Sequence, residues 1–310
     1  MYAKIVIPLD GSELAEGVLP HVVEVIRDRE SQVHLLTVAQ VSRGTASVLT
    51  DLLSSSNARE ERRHIEQELS TYLLHAAGDL EPAAAKVQVG VRFGRPAEEI
   101  LAFAGEVGAD LIAMSTHGRS GISRWVFGSV TDRVLHGALC PLLLVRTESL
   151  QPAVAYQRIL VPLDGSETAE QALPYASALI RPNYTRIFLT SVLPNGFSDR
   201  TVTLLTSSPP GLQLSTTALP KAEVQLTAYL RSVAAALRER GATVHTAVRK
   251  GSPAEEILAH AAENEADLIS MTAHGFSGVS RWVYGNVAGK ILQGAHCPIL
   301  LVRPPVEGKA

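Results

Sequence analysis

Short apolar runs and longer amphipathic stretches alternate along this chain in a fixed order, and that order is written twice. The first run, "AKIVIPL" over 3–9, predicts a strand, and 12–27 predicts the helix after it. "VHLLTVAQ" (33–40) reads as a second strand, and the polar stretch 58–79 as a long helix. A third strand follows near 86–92, a helix opens at Pro96, and "ADLIAMS" (109–115) is a fourth strand. A glycine-rich loop then leads into a helix from about 129 and a last strand at 141–146. The strand runs are continuous and apolar, without the two-residue alternation of a sheet wetted on one side. Such runs separated by helices predict a parallel sheet covered on both faces.

The second writing is close to the first. "KIVIPLDGSELAE" (4–16) returns as "RILVPLDGSETAE" (158–170), and "GRPAEEILAFA" (94–104) as "GSPAEEILAHA" (251–261). "CPLLLVR" (140–146) returns as "CPILLVR" (297–303). The offset grows from 154 at Asp10 and Asp164 to 157 at Gly118 and Gly275. So long a period signals duplicated domains rather than a solenoid, and 310 residues suit two domains of ordinary size. The boundary falls in the polar stretch "TESLQPAVAYQ" (147–157), giving domains of 1–148 and 156–305. The expected fold class is α/β: two repeated open doubly wound domains, each a five-stranded parallel sheet in the order 3-2-1-4-5 with helices on both faces.

Helix starts are well marked. "GRPAEEIL" and "GSPAEEIL" each place Pro at the first helical position and two Glu in the first turn, where the helix dipole favours anions. Capping chemistry is preferred there over a catalytic acid pair. Residues 41–57 and 194–221, rich in Ser, Thr, Gly and Pro, are long for α/β connections and read as flaps or disordered stretches.

Composition acts mainly by exclusion. A formal net charge of −3, from 28 basic and 31 acidic side chains, gives no electrostatic case for nucleic acid or a membrane surface. No apolar run approaches the roughly 18 residues of a membrane span. "MYAKIVIPLDGS" does not read as a signal peptide, so the expected location is cytoplasmic. The two cysteines, Cys140 and Cys297, hold matching places in the repeats. They read as small apolar residues opening a buried strand, with a disulfide or redox pair as the alternative.

Open parallel sheets bind ligands beyond the carboxyl ends of their strands, where strand order reverses. In the order 3-2-1-4-5 that point lies between the first and fourth strands. The first strand ends at "PLDGS" in both copies. The fourth runs into "STHGRSGISRWVFGSV" (115–130) or "TAHGFSGVSRWVYGNV" (272–287), which agree at 10 of 16 positions. Pro8 and Pro162 are expected near a strand exit, where pairing has stopped. Asp10 and Asp164 would present carboxylates to the crevice, with simple helix capping by Asp and Ser as the alternative. Gly118 lets the chain turn, and Gly121 removes a side chain that would block backbone approach. Gly128 and Ser129 open a helix whose free N–H groups suit an anion. The spacing matches neither the G-x-x-x-x-G-K-[ST] phosphate loop nor the dinucleotide G-x-G-x-x-G.

These motifs together resemble the universal stress proteins, and the resemblance covers nearly the whole chain as two UspA-type domains. The ATP-binding branch carries G-x2-G-x9-G-[ST] after the fourth strand. The first copy reads Ser115-x2-Gly118-x9-Gly128-Ser129, and the second reads Thr272-x2-Gly275-x9-Gly285-Asn286. The resemblance implies an adenine nucleotide, ATP, lying across each crevice, with Mg²⁺ bridging its phosphates. Pro8, Leu9, Asp10 and Val38 would hold adenine and ribose. Ser115, Gly118, Arg119, Ser120, Gly121, Gly128, Ser129 and Val130 would surround the phosphates. The second copy offers Pro162, Leu163, Asp164 and Val192, then Thr272, Gly275, Phe276, Ser277, Gly278, Gly285, Asn286 and Val287. No dedicated metal cage is evident.

The departures bear on the second copy. Thr272 is β-branched where the family has Gly, and Asn286 replaces a hydroxyl by an amide. Either the second site is weakened or both sites work. His117 and His274 read as loop-orienting residues rather than catalytic ones, and Trp125 and Trp282 as packing residues rather than base-stacking ones. Arg124 is a candidate phosphate contact; Arg119, which becomes Phe276, is an optional one. The apolar last strands would lie at sheet edges, and pairing them would form an internal pseudo-dimer, as the resemblance also implies. A homodimer of chains is a further expectation. The leading functional reading is a nucleotide-dependent stress sensor or regulator. A slow ATP hydrolase and a nucleotide-free scaffold are its alternatives.

Overall fold

Ile5, Val6 and Ile7 point to alternate faces of one strand, yet all three are fully buried. A strand achieves that only inside a sheet covered on both sides. In the computed structural model, which describes residues 1–40, 56–80, 83–84, 86–116, 127–146, 155–195, 218–273 and 285–303, this strand is β1 (Lys4–Pro8). The chain divides into two units, Met1–Val154 and Ala155–Ala310.

In the first unit β1 lies between β2 (Gln32–Ala39) and β4 (Leu111–Ser115), with β3 (Lys86–Phe93) beyond β2 and β5 (Leu142–Val145) beyond β4. All four pairings are parallel, so the order is 3-2-1-4-5. The second unit repeats this with β6 (Arg158–Pro162), β7 (Arg186–Pro194), β8 (Thr243–Gly251), β9 (Leu268–Thr272) and β10 (Ile299–Val302). β6 pairs with β7 and β9, β7 with β8, and β9 with β10, again in parallel. Parallel neighbours need helical crossovers, and right-handed ones place helices on both faces.

The first-unit helices are α1 (Glu13–Glu16), α2 (Leu19–Ile26), α3 (Ser56–Ala77), α4 (Pro96–Val107) and α5 (Ser129–Gly137). The second-unit helices are α6 (Glu167–Glu170), α7 (Ala172–Ala178), α8 (Ala218–Glu239), α9 (Pro253–Glu263) and α10 (Asn286–Gly294). The single helix expected over 12–27 is two helices, with Gly17 ending α1 and Pro20 in the first turn of α2. Pro20 has no N–H to reach the Glu16 carbonyl, so the ladder breaks there. Pro174 breaks the second copy in the same way, just after α6. The stretches read as flaps lie largely outside the described residues. Among the described residues no helix is long and apolar enough to cross a membrane.

The edge strands depart from the continuous apolar pattern. Along β3, Lys86 and Gln88 are exposed while Val87 and Val89 are half-buried, because among the described residues β3 has a neighbour on one side only. One core contact is repeated with its partners exchanged. His34 of β2 meets Phe103 of α4 edge-on at 5.8 Å, whereas Phe188 of β7 meets His260 of α9 at 6.1 Å. His260 Nδ1 also bonds Thr190 Oγ1 at 2.6 Å, and burial lowers the pKa of both histidines. Cys140 and Cys297 are in no disulfide and lie half-buried just before the last strand of each unit.

His21 in α2 is 5% exposed, and burial pulls its pKa down from 6.5 to about 4. The folded state therefore binds this proton less readily than the unfolded chain. Its contribution is complete above pH 6.5 and is lost as pH falls towards 4. The second copy carries Tyr175 at the matching place, so His21→Tyr is a natural control. Urea unfolding of the parent should show an extra loss on the order of 3 kcal/mol over that window, absent from His21→Tyr. An equally steep loss in the variant would assign the effect to another group.

Candidate functional site

The sheet opens where β1 and β4 stop pairing. β1 matches β2 over all five residues but meets β4 only at Ile5↔Leu111 and Val6↔Ile112. Leu9 N–H reaches the Leu36 carbonyl on the β2 side at 2.8 Å. Backbone groups alternate along a strand, so the nitrogen of Pro8 faces β4 and has no hydrogen to give. Pairing with β2 thus continues through Pro8, whereas pairing with β4 has ended. β6 behaves alike, touching β9 only at Ile159↔Leu268 and Leu160↔Ile269 before Pro162. The parting expected between the first and fourth strands is present in each unit.

The chain leaving β1 is pinned at the crevice lip. Thr37 Oγ1 donates to the Leu9 carbonyl at 2.9 Å, and Ser191 Oγ to the Leu163 carbonyl at 2.7 Å. Gly11 and Gly165 then turn the chain at φ +80° and +85°, which favours glycine. Asp10 Oδ1 accepts the Ser12 N–H at 3.1 Å and its hydroxyl at 2.5 Å. Ser12 Oγ in turn accepts the Ala15 N–H at 3.1 Å and caps α1. Asp164, Ser166 and Ala169 repeat these three bonds at 3.0, 2.6 and 3.1 Å. These bonds are those of the capping alternative: serine caps the helix, and the aspartate braces that serine.

The opposite wall begins at the end of β4. Thr116 N–H donates to the Val145 carbonyl at 2.9 Å, and Gly128 N–H returns to the Thr116 carbonyl at 3.5 Å. Gly128 is the N-cap of α5, and no side chain caps that helix. Gly285 is the equally uncapped N-cap of α10, its N–H 3.2 Å from the Ala273 carbonyl. Gly128 has φ −55° and ψ 148°, and Gly285 −56° and 155°, backbone that any residue adopts. Among the described residues, a Cβ at either would meet nothing nearer than 4.0 Å. Neither conformation nor packing against the described residues requires these glycines. They place no side chain ahead of a helix N-terminus, where N–H groups and the dipole attract an anion.

In the second unit a cleft of about 380 Å³ lies over this junction. Pro162, Leu163, Asp164, Val192, Thr272, Gly285, Asn286 and Val287, all named from sequence, line it together. Their first-unit counterparts Pro8, Leu9, Asp10, Val38, Ser115, Gly128, Ser129 and Val130 occupy the same places at their strand ends and helix start. Gly118, Arg119, Ser120 and Gly121, and Gly275, Phe276, Ser277 and Gly278, lie outside the described residues. So do His117, Arg124, Trp125, His274 and Trp282.

Sequence reasoning missed the cleft's apolar wall, which includes Leu226 of α8, Pro253 and Ile257 of α9, and Met271 of β9. It also missed Thr37 and Ser191, although a buried hydroxyl inside an apolar strand was the available signal. Two tyrosines went unnoticed as well. The hydroxyls of Tyr72 in α3 and Tyr229 in α8 are shut away from solvent. Burial pushes both phenol pKa values up, first by desolvation and then through Glu16 or Glu170, with Asp10 or Asp164 adding to the effect. Both therefore stay protonated beside the aspartates of the lip.

Comparison with known proteins places these features. A family model described as the universal stress protein family matches residues 1–146 and 155–303. A universal stress protein of Methanocaldococcus jannaschii is 31% identical over 153 residues, covering 47% of this chain and 83% of its own. One from Bacillus subtilis is 28% identical over 148 residues, covering 47% of this chain and all of its own. The crystal structure of a universal stress protein from Archaeoglobus fulgidus superposes with a TM-score of 0.67 at 20% identity, over 98% of this chain and 97% of that one. That likeness concerns the fold.

The capping serines carry a measurable share of the lip's order. Replacing Ser166 by Ala should cost about 1 kcal/mol in urea unfolding, because it removes both the Ala169 cap and the brace on Asp164. No change in stability would mean that Asp164 holds the turn without its serine.

Proposed function

The chain belongs to the universal stress protein family, and we propose that it binds adenine nucleotide in both crevices, ATP in the first, as a stress sensor or regulator whose state depends on the bound nucleotide. The observation that carries this reading is the pair of glycines at the helix starts. Gly128 and Gly285 adopt ordinary backbone angles, and no described residue stands closer than 4.0 Å to where a side chain would begin. A phosphate needs that space to reach the first N–H groups of α5 and α10. The lip opposite is mainly backbone and apolar surface, Pro8 and Leu9 with Val38, or Pro162 and Leu163 with Val192. Such a surface suits the faces of a base and ribose.

Binding is favoured over hydrolysis. Asp10 and Asp164 hold their own turns through Ser12 and Ser166, which removes the obvious carboxylates of the lip from the role of general base. A Mg²⁺ ion would enter with the phosphates. Among the described residues no group of three or more His, Cys, Asp and Glu side chains stands ready to hold a metal.

Gly128→Ser separates folding from binding. A serine N-cap accepts the N–H two or three residues on, so it would fill the cradle and occupy the donors that phosphate would use. The variant should unfold in urea at the parent's stability or up to about 1 kcal/mol higher. Its first-site affinity for Mg-ATP in calorimetry should fall at least about tenfold. Unchanged ATP binding in Gly128→Ser, or a parent chain that binds no adenine nucleotide, would sink the proposal.

A further inference from the structure

The two crevices repeat one end to the hydrogen bond and let the other diverge. At the lip, Pro8, Leu9, Asp10 and Val38 recur unchanged as Pro162, Leu163, Asp164 and Val192. The hydroxyl that pins Leu9 or Leu163 is present in both, from Thr37 or Ser191. At the helix start the chemistry changes. Thr116 and Thr131, both buried in the first unit, become Ala273 and Ala288. Both alanines lie on the cleft wall. Thr131 Oγ1 donates to the Ser115 carbonyl at 3.5 Å, holding the end of β4 to α5, whereas Ala288 brings only a methyl. Ser129 becomes Asn286, and Ser115 becomes the bulkier Thr272, which also lines the cleft. At this end two threonine hydroxyls, one of them bonded to the Ser115 carbonyl, give way to methyls and a serine to an amide, while the lip keeps its residues and its hydroxyl pin.

A polyphosphate carries several charges and needs many donors, since buried anionic oxygens without partners are costly. A nucleoside with one phosphate can be met by the helix N-terminus alone, and the methyl-lined wall no longer opposes it. We propose that the second crevice is selective for an adenine nucleoside carrying a single phosphate, while the first takes the triphosphate. Residues 286 and 288 set the difference. This rests on the nucleotide-binding reading given above and deepens it. The chain then reads two adenine nucleotides of different phosphate content, one in each half.

Nucleotide-free full-length chain should be titrated calorimetrically with Mg-ATP and, separately, with AMP. Gly128→Ser, which disables the first crevice, isolates the second. In that background AMP should bind more tightly than ATP, and Asn286→Ser with Ala288→Thr should shift the preference towards ATP by at least about tenfold. The reciprocal pair in an otherwise unchanged chain, Ser129→Asn with Thr131→Ala, should lower the first site's preference for ATP over AMP. It serves as a second test should the first combination fold poorly. Tighter binding of ATP than AMP at the second site, or preferences unmoved by both exchanges, overturns the selectivity while leaving nucleotide binding standing. A parent chain that binds neither ligand overturns both.

Discussion

The site depends on a missing hydrogen. Pro8 and Pro162 sit at the last position of a central strand, with their nitrogens turned towards β4 and β9. At the other end of the same strands the contact is drawn tight. Asp110 accepts the N–H groups of Ala3 and Lys4 at 2.8 and 3.0 Å, and Asp267 those of Gln157 and Arg158, both at 2.9 Å. Two strands tied at their starts and denied a bond at their ends must part at their ends. The gap cannot close without a partner for the groups that face proline. Everything that faces the gap follows from this: the glycine turn, the braced serine cap and the start of the next helix.

Much of this was legible in the sequence for a physical reason. Apolar runs without alternation can only be strands buried on both faces, so Ile5 to Ile7 revealed the sheet and the duplication revealed two of them. The strand order then located the crevice before any side chain was placed. What escaped depended on distance or on context. Nothing local in "TAHG" or "LPKAEVQLTAYL" tells that α8 lends Leu226 to the cleft or sets Tyr229 beside Glu170. The bond between Thr190 and His260 spans 70 positions, and no periodicity reports it. The break at Pro20, by contrast, was written in the chain; a helical pattern over 12–27 outweighed one imino acid that it should not have outweighed. The edge strands failed the continuous-run rule because that rule describes interior strands, and β3 has an open side.

The duplication makes the molecule its own comparison, and it separates two kinds of change. Where a position serves packing, a change on one element is answered on another. His34 against Phe103 returns as Phe188 against His260, with ring and imidazole exchanged and the contact kept. Where a position serves a backbone pin, the hydroxyl survives the change from Thr37 to Ser191. Such compensation is what a close-packed interior enforces, because an unanswered change leaves a void or an orphaned polar group. Among the described residues no change answers those at the helix starts. Ala288 puts a methyl where Thr131 had a hydroxyl, and Ala273 does the same for Thr116. The cleft wall around them stays intact and the lip opposite stays identical. Folding did not demand these substitutions, since both halves build the same sheet with the same caps. On the proposed nucleotide-binding reading, a difference confined to one end of a cleft bears on what that cleft would hold.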